Sequence, residues 1–435
     1  MDKSTLKSNE RFNKIVYFTK ITLLFICMLT AVPPINAAIR DLFKIASVWS
    51  FALIVYIVVK NKEYYFKKEY FSLVLFCCSY SITILLNKNN YLINEAALLL
   101  ITVMLFFMIT YCDKNLDVSY IKKELISYGW VIVLISLIYS ACNIGILIYE
   151  AKGYYIYEVC QEFVGWNGDK LAGLYNPNTS GTICYISFII SIILFRYAKE
   201  NMRKIVLVIN MIFQFSVFMF SKSRGAMVCV AIYVAIGSIV FIVKKLQAIS
   251  PTTKKNIKIA AFGSTAMLAI FIGFFFVKTK GAALNALSSG RIGIWKTALR
   301  IFKENNKLFG IGYRSIDDVF KLYVDESYYN VFSAGGTHNV YIAVLTAAGA
   351  LGLILFATFL LFLLKRVYNL LVSNSVPKEV KLLAAFIPTW LVGEMFESRI
   401  VFGMNHLAVS FWIVVGYVIY FSEVYKNGEH NSSGL

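Results

Sequence analysis

Residues that could do chemistry are concentrated in one polar segment of an otherwise apolar chain. Residues 278–337 interrupt the hydrophobic pattern, and Arg291, Trp295 and the adjoining His338 belong to this region. A guanidinium can bind anionic oxygens through two parallel hydrogen bonds, and a neutral imidazole can accept a proton from a hydroxyl. Arg291 and His338 are therefore candidates for anion binding and general-base catalysis. The alternatives are an interfacial arginine and an interfacial histidine without a catalytic role.

Three other polar residues lie near the predicted ends of apolar runs. Arg224 belongs to the tight turn 221–225, which holds two cations; either anion binding or simple surface exposure explains it. Asn178 follows a proline, which is typical of a turn that begins a helix. Glu394 lies one turn before the pair Glu397–Arg399, which we interpret as a solvent-exposed ion pair of little energetic weight.

The rest of the chain predicts the frame that positions these residues. Of the 435 residues, 59% are hydrophobic, and the mean hydropathy is +0.67. Apolar runs of about twenty residues, each long enough to cross a bilayer, recur along the chain. We therefore predict an all-α polytopic membrane protein with about 12 transmembrane helices and one long extracytoplasmic loop. The predicted spans are 21–39, 42–59, 70–86, 91–111, 125–149, 174–195, 204–220, 226–243, 257–277, 338–364, 381–397 and 400–421.

Basic residues predict the orientation of this frame. Lysine and arginine cluster at 60–68, 196–203, 244–255 and 365–378, all on one side of the membrane, whereas the opposite turns hold far fewer. By the positive-inside rule that side is cytoplasmic, and no cleavable signal peptide is expected. The predicted organisation is a cytoplasmic head (1–20), helices 1–9 (21–277), an extracytoplasmic catalytic loop (278–337), helices 10–12 (338–421) and a cytoplasmic tail (422–435).

Two amphipathic helices are predicted within the long loop, each lying flat at the membrane surface. The first has an apolar stripe at helical spacing: Trp295, Ala298, Leu299 and Phe302. The second, weaker stripe comprises Ile316, Val319, Phe320 and Tyr323. Thr337 is the predicted N-cap of the tenth span. His338 would then lie in the first helical turn, where the helix dipole favours a neutral ring.

Several classes of function are disfavoured by composition. The net charge of +19 is accounted for by cytoplasmic loops, so no nucleic-acid partner is expected. The eight cysteines lack a C-x-x-C pattern and the histidines number three, so neither a disulfide framework nor a metal site is expected. Neither a Walker A motif nor an Asp-x-Asp motif is present. We expect no cofactor. Glu95 and His406, inside predicted spans, are weaker candidates for a substrate pathway.

At these residues the chain resembles the superfamily of O-antigen ligases and O-antigen (capsular polysaccharide) polymerases. Each matching segment is short, but their order on a frame of twelve spans is specific. The resemblance covers mainly residues 174–364. The matching segments are Asn176-Pro177-Asn178, Ser221-Lys222-Ser223-Arg224-Gly225-Ala226, Ser289-Gly290-Arg291 with Trp295, Leu308-Phe309-Gly310-Ile311-Gly312, Thr337-His338-Asn339-Val340-Tyr341, Gly349 and Gly352.

The resemblance implies a metal-independent glycosyltransferase at the outer face of the bacterial cytoplasmic membrane, with both termini in the cytoplasm. Members transfer a glycan from undecaprenyl pyrophosphate to an acceptor. The implied catalytic residues are Arg224 and Arg291, which would bind the pyrophosphate, and His338, which would act as the base. Glu394 is assigned by position alone. The full substrate-binding prediction comprises Asn178, Arg224, Arg291, Trp295, Arg314 and Glu394.

Three functions remain open, and a polysaccharide polymerase is favoured. It would extend O-antigen, capsule or exopolysaccharide, acting with a flippase and a chain-length regulator. A ligase of the same fold would instead transfer finished glycan to lipid A core or another acceptor. The third is a flippase for lipid-linked oligosaccharides or another transporter. Transporters usually carry charges at mid-membrane and have pseudo-symmetric halves, whereas here the polar residues lie at the predicted outer rim.

Overall fold

A computed structural model describes residues 3–30, 33–60, 68–87, 91–152, 166–167, 170–171, 176–246, 290–324 and 336–427. Nearly all of these residues are helical. The helices are α1 (Lys3–Thr30), α2 (Pro33–Lys60), α3 (Lys68–Leu86), α4 (Leu92–Val103), α5 (Val118–Ala151), α6 (Pro177–Tyr197), α7 (Asn201–Ser221), α8 (Arg224–Leu246), α9 (Arg291–Glu304), α10 (Ser315–Lys321), α11 (Val340–Val372), α12 (Lys378–Gly393) and α13 (His406–Asn427). Helix α4 continues as a π-helical turn, Met104–Ile109, and β1 (Trp166–Asn167) pairs antiparallel with β2 (Lys170–Leu171).

This architecture confirms the predicted all-α, multi-pass membrane fold. In the described part of the chain, eight helices are long and apolar enough to cross a membrane, and two shorter apolar helices accompany them. Ten of the twelve predicted spans coincide, to within several residues, with helices of the described chain. The ninth predicted span, 257–277, lies outside the described residues, as do residues 278–289 and 325–335 of the long loop.

The first predicted span is wrong in its boundaries. Helix α1 ends at Thr30, and α2 begins at Pro33, so the run 21–39 belongs to two helices. Proline at the start of a helix loses no intrahelical hydrogen bond, because its missing N–H would have had no partner there. Most of the predicted cytoplasmic head, 1–20, is helical and is continuous with the first span in α1.

Lipid-facing and interior side chains differ sharply in exposure, as a membrane frame requires. Large apolar side chains such as Val48 and Leu361 are 73% and 69% exposed. The interior is built around α13, and aromatic rings of neighbouring helices pack on Trp412, which is fully buried. None of the seven described cysteines forms a disulfide, and five of them are buried.

Polar side chains join three of the helices across the membrane interior. Asn210 of α7 donates to the hydroxyls of Ser187 and Ser191 on α6, both at 2.9 Å. Ser140 of α5 donates to the amide oxygen of Gln214 at 3.0 Å. Small residues let helices approach closely, and such bonds each contribute about 0.6 kcal/mol in membranes. This network fixes α6, whose first residues reach the candidate site.

Helix α11 is interrupted at Gly349, where φ is 71° and ψ is −173°. The break removes the intrahelical bonds that the amides of Ala350 and Leu351 would make four residues back. These two amides instead donate to the carbonyls of Lys307 at 2.8 Å and Leu308 at 3.2 Å. Residues of the long loop therefore replace part of the helix's own hydrogen bonding.

The loop also donates hydrogen bonds to the two carbonyls of α11 that lose their intrahelical donors at the break. Thr346 accepts from the amide of Ile311 at 3.1 Å, and Ala347 accepts from the amide of Gly312 at 2.9 Å. Gly310 must approach closely, because a Cβ there would lie 2.5 Å from the carbonyl oxygen of Ala347. The Leu308–Gly312 segment, which joins α9 to α10, is thus fastened to α11 at the break.

Glu95 holds the next part of the loop. Its buried carboxylate accepts from the amide of Arg314 at 2.6 Å and from the hydroxyl of Tyr80. The Tyr80 hydroxyl also accepts from the amide of Tyr313 at 3.0 Å. These contacts give Glu95 a structural role as an anchor for the loop, where the sequence left it as a weak pathway candidate.

Candidate active site

The residues that begin α6 and the turn that joins α7 to α8 pack against each other. Asn176 caps α6, since its side chain accepts from the amide of Thr179 at 2.8 Å. Lys222 adopts a left-handed conformation, φ 47°, which ends α7 and turns the chain into α8. Gly181 permits the contact, because a Cβ there would lie 2.5 Å from the Cβ of Ser223. Asn178 and Ser223 consequently lie side by side.

These residues border a small polar cavity of about 20 Å³. It lies at the end of the bundle where α6, α8, α11 and α13 begin, which we call the loop end. Aromatic side chains, among them Trp390 and Phe396, form its apolar part. Its polar lining consists of Asn178, Thr182, Ser223, Arg291, Glu394, Glu397 and Arg399.

Glu397 is the centre of the charged network at this cavity. Its Oε1 lies 2.9 Å from Nη2 of Arg291 and 3.3 Å from Nη2 of Arg399. Its Oε2 lies 3.5 Å from Nδ1 of His338, an electrostatic contact longer than an ordinary hydrogen bond. The side chains of these four residues are 13–17% exposed. The Glu397–Arg399 pair, interpreted from the sequence as a rim ion pair of little energetic weight, is instead largely covered and belongs to a network of four residues.

The charges around Glu397 determine its ionisation. Burial by itself raises the pKa of the Glu397 carboxyl, but Arg399, His338 and Arg291 together outweigh burial and lower that pKa to about 2. The carboxylate is therefore ionised at neutral pH. Its negative charge offsets part of the positive charge of Arg291 and Arg399, whose guanidinium groups would otherwise repel each other. Each guanidinium has five N–H donors and retains some for a further anion.

Arg399 organises the opposite wall of the cavity. Its Nη1 donates to the hydroxyl of Thr182 at 2.9 Å, and its backbone amide donates to the Glu394 carboxylate at 2.8 Å. Burial raises the pKa of the Glu394 carboxyl to about 7, although the charge and the amide of Arg399 oppose the shift. Glu394 and Glu397 are three residues apart, yet they differ in protonation because only Glu397 contacts several cations.

His338 precedes α11 and has a left-handed backbone, with φ 47°. The prediction that Thr337 caps α11 with His338 in its first turn is wrong. Asn339 is the N-cap, and its side chain accepts from the amides of Tyr341 at 3.0 Å and Ile342 at 3.1 Å. Asparagine competes well for this position because its short side chain reaches the free amides of the first turn.

The neighbours of His338 hold it in this uncommon conformation. Trp295 donates from its ring nitrogen to the carbonyl of Thr337 at 3.1 Å. On the other side, Asn339 donates to the carbonyl of Met395 at 3.1 Å. A left-handed non-glycine residue costs of the order of 1–3 kcal/mol and persists only where its surroundings impose it. Trp295 therefore positions His338 and ties α9 to the start of α11.

The buried face of α9 overlaps the predicted apolar stripe only in part. Its buried side chains are Ile294, Ala298 and Ile301, which pack on α11, while Leu299 is 36% exposed. The predicted stripe was displaced by one residue because tertiary packing selects which apolar neighbours are covered. The second helix, α10, agrees better with its prediction, since Ile316 and Phe320 are buried.

The predicted site residues fall into three groups. Asn178, Arg291 and Glu394 line the cavity, and His338 contacts it through Glu397. Arg224 begins α8 at the rim and is exposed, although its neighbours Ser223 and Gly225 line the cavity. Arg314 lies in a separate cleft with Thr337.

Thr182, Glu397 and Arg399 were missed as site residues. The only sequence signal was the spacing Glu394-x-x-Glu397-x-Arg399 beside a predicted turn. Within the described part of the chain, no group of three histidine, cysteine, aspartate or glutamate side chains is arranged to hold a metal ion.

The fold and the cavity define a multi-pass helical membrane protein whose loop end combines arginines, carboxylates and a histidine. Residues 171–357 match the family model described as O-Antigen ligase. This match supports assignment of the chain to the superfamily of O-antigen ligases and polymerases, as the sequence motifs indicated. Its members are glycosyltransferase-like enzymes. No curated protein matches the chain. Glu394, Glu397 and Arg399 lie beyond the matched residues.

Proposed function

We propose that the protein is a polysaccharide polymerase. It transfers glycan from undecaprenyl pyrophosphate to a sugar hydroxyl of another lipid-linked repeat unit, at the outer face of the bacterial cytoplasmic membrane. The product is O-antigen, capsule or exopolysaccharide. The observation that carries the proposal is the contact of one carboxylate, Glu397, with Arg291, Arg399 and His338. Two guanidinium groups and one imidazole therefore converge on one carboxylate, and both guanidinium groups line the polar cavity.

This arrangement suits displacement of a diphosphate. The acceptor oxygen attacks the anomeric carbon, and the bond between that carbon and the diphosphate breaks with its electron pair remaining on the diphosphate. The hydroxyl proton passes to His338, through the ring nitrogen that does not face Glu397. Arg291 and Arg399 stabilise the negative charge that develops on the leaving group. Arg224 at the rim extends the positive surface towards the lipid phosphates.

In this mechanism arginine side chains supply the positive charge that stabilises the leaving diphosphate. We therefore infer that the reaction needs no metal ion. Transfer by the purified full-length protein should continue at an unchanged rate after EDTA treatment. A loss of activity that Mg²⁺ or Mn²⁺ restores would contradict the metal-independent mechanism. An enzyme that uses a metal as a Lewis acid would lose transition-state stabilisation of several kcal/mol on chelation.

The outer orientation is supported by the asymmetry of basic residues. Lys296 on α9 is exposed at the loop end, so Lys296→Cys tests it directly. In a background with Cys78, Cys142 and Cys160 replaced by serine, a membrane-impermeant maleimide should label this position in intact cells. Arg11→Cys, exposed near the start of α1, serves as the cytoplasmic control. Labelling of Arg11→Cys alone would reverse the topology and overturn the proposal.

A ligase is the second candidate, because the matching family model is described as O-Antigen ligase. Deletion of the chain from its host distinguishes the two. Single repeats on the final acceptor would indicate a lost polymerase, which we expect. An undecorated acceptor together with long lipid-linked chains would indicate a lost ligase. Complementation with the wild type and with Arg291→Ala shows whether the phenotype depends on the cavity.

A further inference from the structure

A second cleft borders the segment that carries His338. It has a volume of about 370 Å³, near the lower end of the range of roughly 300–1,000 Å³ that small-molecule sites occupy. Thr337 lines this cleft, whereas the next residue, His338, contacts Glu397 of the charged cavity. The walls that face Thr337 come from the first residues of α4 and from the start of α10. They include Tyr91, Asn94, Tyr313, Arg314 and Asp317.

Neighbouring residues of the chain link the cleft to the charged cavity. Gly336 lines the cleft, and a Cβ there would lie 3.9 Å from the Tyr313 hydroxyl and 4.0 Å from the Ser398 hydroxyl. Ser398 is flanked in sequence by Glu397 and Arg399, two residues of the charged cavity. Residues at the cleft are therefore sequence neighbours of His338 on one wall and of the arginine network on the other.

The chemistry of the cleft differs from that of the charged cavity. Arg314 supplies donors, Asp317 supplies acceptors, and the amide of Asn94 supplies both. Arginine and aspartate oppose each other in charge, so the cleft does not favour a diphosphate. A saccharide presents hydroxyls that both donate and accept, together with apolar C–H faces that pack on aromatic rings such as those of Tyr91 and Tyr313.

The polar groups of the cleft are accessible, and its walls are held in place. Asn94 and Arg314 are exposed, and the Asp317 side chain is 49% exposed, with Lys321 3.7 Å away. The Tyr313 ring stacks on Phe402 with centroids 5.1 Å apart. The backbone at Arg314 is fixed by its bond to buried Glu95, described above. A ligand would therefore meet prearranged groups.

We propose that this cleft is the acceptor subsite, which binds the terminal sugars of the incoming glycan and directs one hydroxyl to His338. The charged cavity then holds the diphosphate of the donor. This inference rests on the proposed function and deepens it by dividing the site into two. It predicts that the residues of the cleft affect acceptor affinity and leave donor affinity unchanged.

Separate ligands for the two halves test this division. The oligosaccharide repeat released from the host's own polysaccharide has no diphosphate and can act only as an acceptor. Glycan-free undecaprenyl pyrophosphate represents the donor side. Equilibrium dissociation constants for both are measured with the detergent-solubilised full chain. For Asn94→Ala and Arg314→Ala we expect the Kd of the oligosaccharide to rise about tenfold. Unchanged binding of the lipid diphosphate then also shows that the variants are folded.

Arg300→Ala is the matched control, because Arg300 is an exposed arginine of α9 outside the cleft. It should alter neither dissociation constant. Unchanged oligosaccharide binding in both cleft variants would overturn the acceptor subsite, and so would an equal loss of both ligands. Failure of the proposed function would look different, since the wild-type protein would then transfer no glycan between lipid-linked repeats.

Discussion

Arg291 and Glu397 are separated by 106 positions in the chain, yet Nη2 of Arg291 donates to Oε1 of Glu397 at 2.9 Å. The contact joins the first residue of α9 to the turn between α12 and α13. The other oxygen of the same carboxylate faces His338. One carboxylate therefore orients a guanidinium and an imidazole together, and the following predictions depend on that geometry.

Arg291→Lys should reduce glycan transfer about 100-fold or more, although charge is retained. An ammonium cannot bind a diphosphate in the bidentate manner of a guanidinium, and loss of one stabilising donor costs about 10²–10³ in rate. Polymer length in cells and initial rates in detergent measure the effect. Lys303→Ala, an exposed cation on the same helix, is the control and should behave as wild type. Full activity of Arg291→Lys would assign the residue a purely structural role.

His338→Gly should abolish transfer while the protein remains folded. Glycine adopts the left-handed conformation of this position without strain, so thermal stability in detergent should be equal to or above that of the wild type. His338→Ala should also be inactive but less stable, because alanine retains the strain. Wild-type polymer in cells that express His338→Gly would remove the proposed base, and it would favour a flippase.

Glu397 and Glu394 should give opposite dependences of stability on pH. The pKa of Glu397 is lowered to about 2 from 4.5, so its contribution is present above pH 4.5 and is lost as the pH falls towards 2. The pKa of Glu394 is raised to about 7 from 4.5. Its contribution is present below pH 4.5 and is lost as the pH rises through 7.

Thermal unfolding in detergent between pH 3 and 8 measures both effects. Glu397→Gln should be less stable than the wild type at neutral pH and should depend less on acid. Glu394→Gln should remove the loss of stability between about pH 4.5 and 7. Parallel curves for the two variants would contradict the assignment of different protonation states to these carboxyls.

Gly349→Ala should destabilise the protein by more than about 1–3 kcal/mol, the usual cost of overpacking. The added Cβ would lie 2.2 Å from the carbonyl oxygen of Leu308, and φ is 71°. Gly237→Ala on α8 is the matched control, because nothing lies within 4 Å of its Cβ position. The yield of monodisperse protein and the Tm report the difference. Equal Tm values would show that the Leu308–Gly312 segment is not docked on the interrupted helix.

The sequence by itself determined the membrane frame and pointed to some of the groups at the site. Runs of about twenty apolar residues specify spanning helices because the bilayer requires every backbone group to be bonded within the segment. Arg291 and His338 were identifiable because charged and titratable residues beside such runs need a reason. Boundaries were less certain, as the division of residues 21–39 between α1 and α2 shows.

Only the tertiary structure decided which polar residues act together. Glu397 and Arg399 resembled an exposed pair in the sequence, since local spacing contains no information on the burial produced by α6 and α9. The replacement of the hydrogen bonds at Gly349 by Lys307, Leu308 and their neighbours also joins segments distant in the chain. Electrostatic coupling depends on distance and on exclusion of water, and both are set by packing between helices.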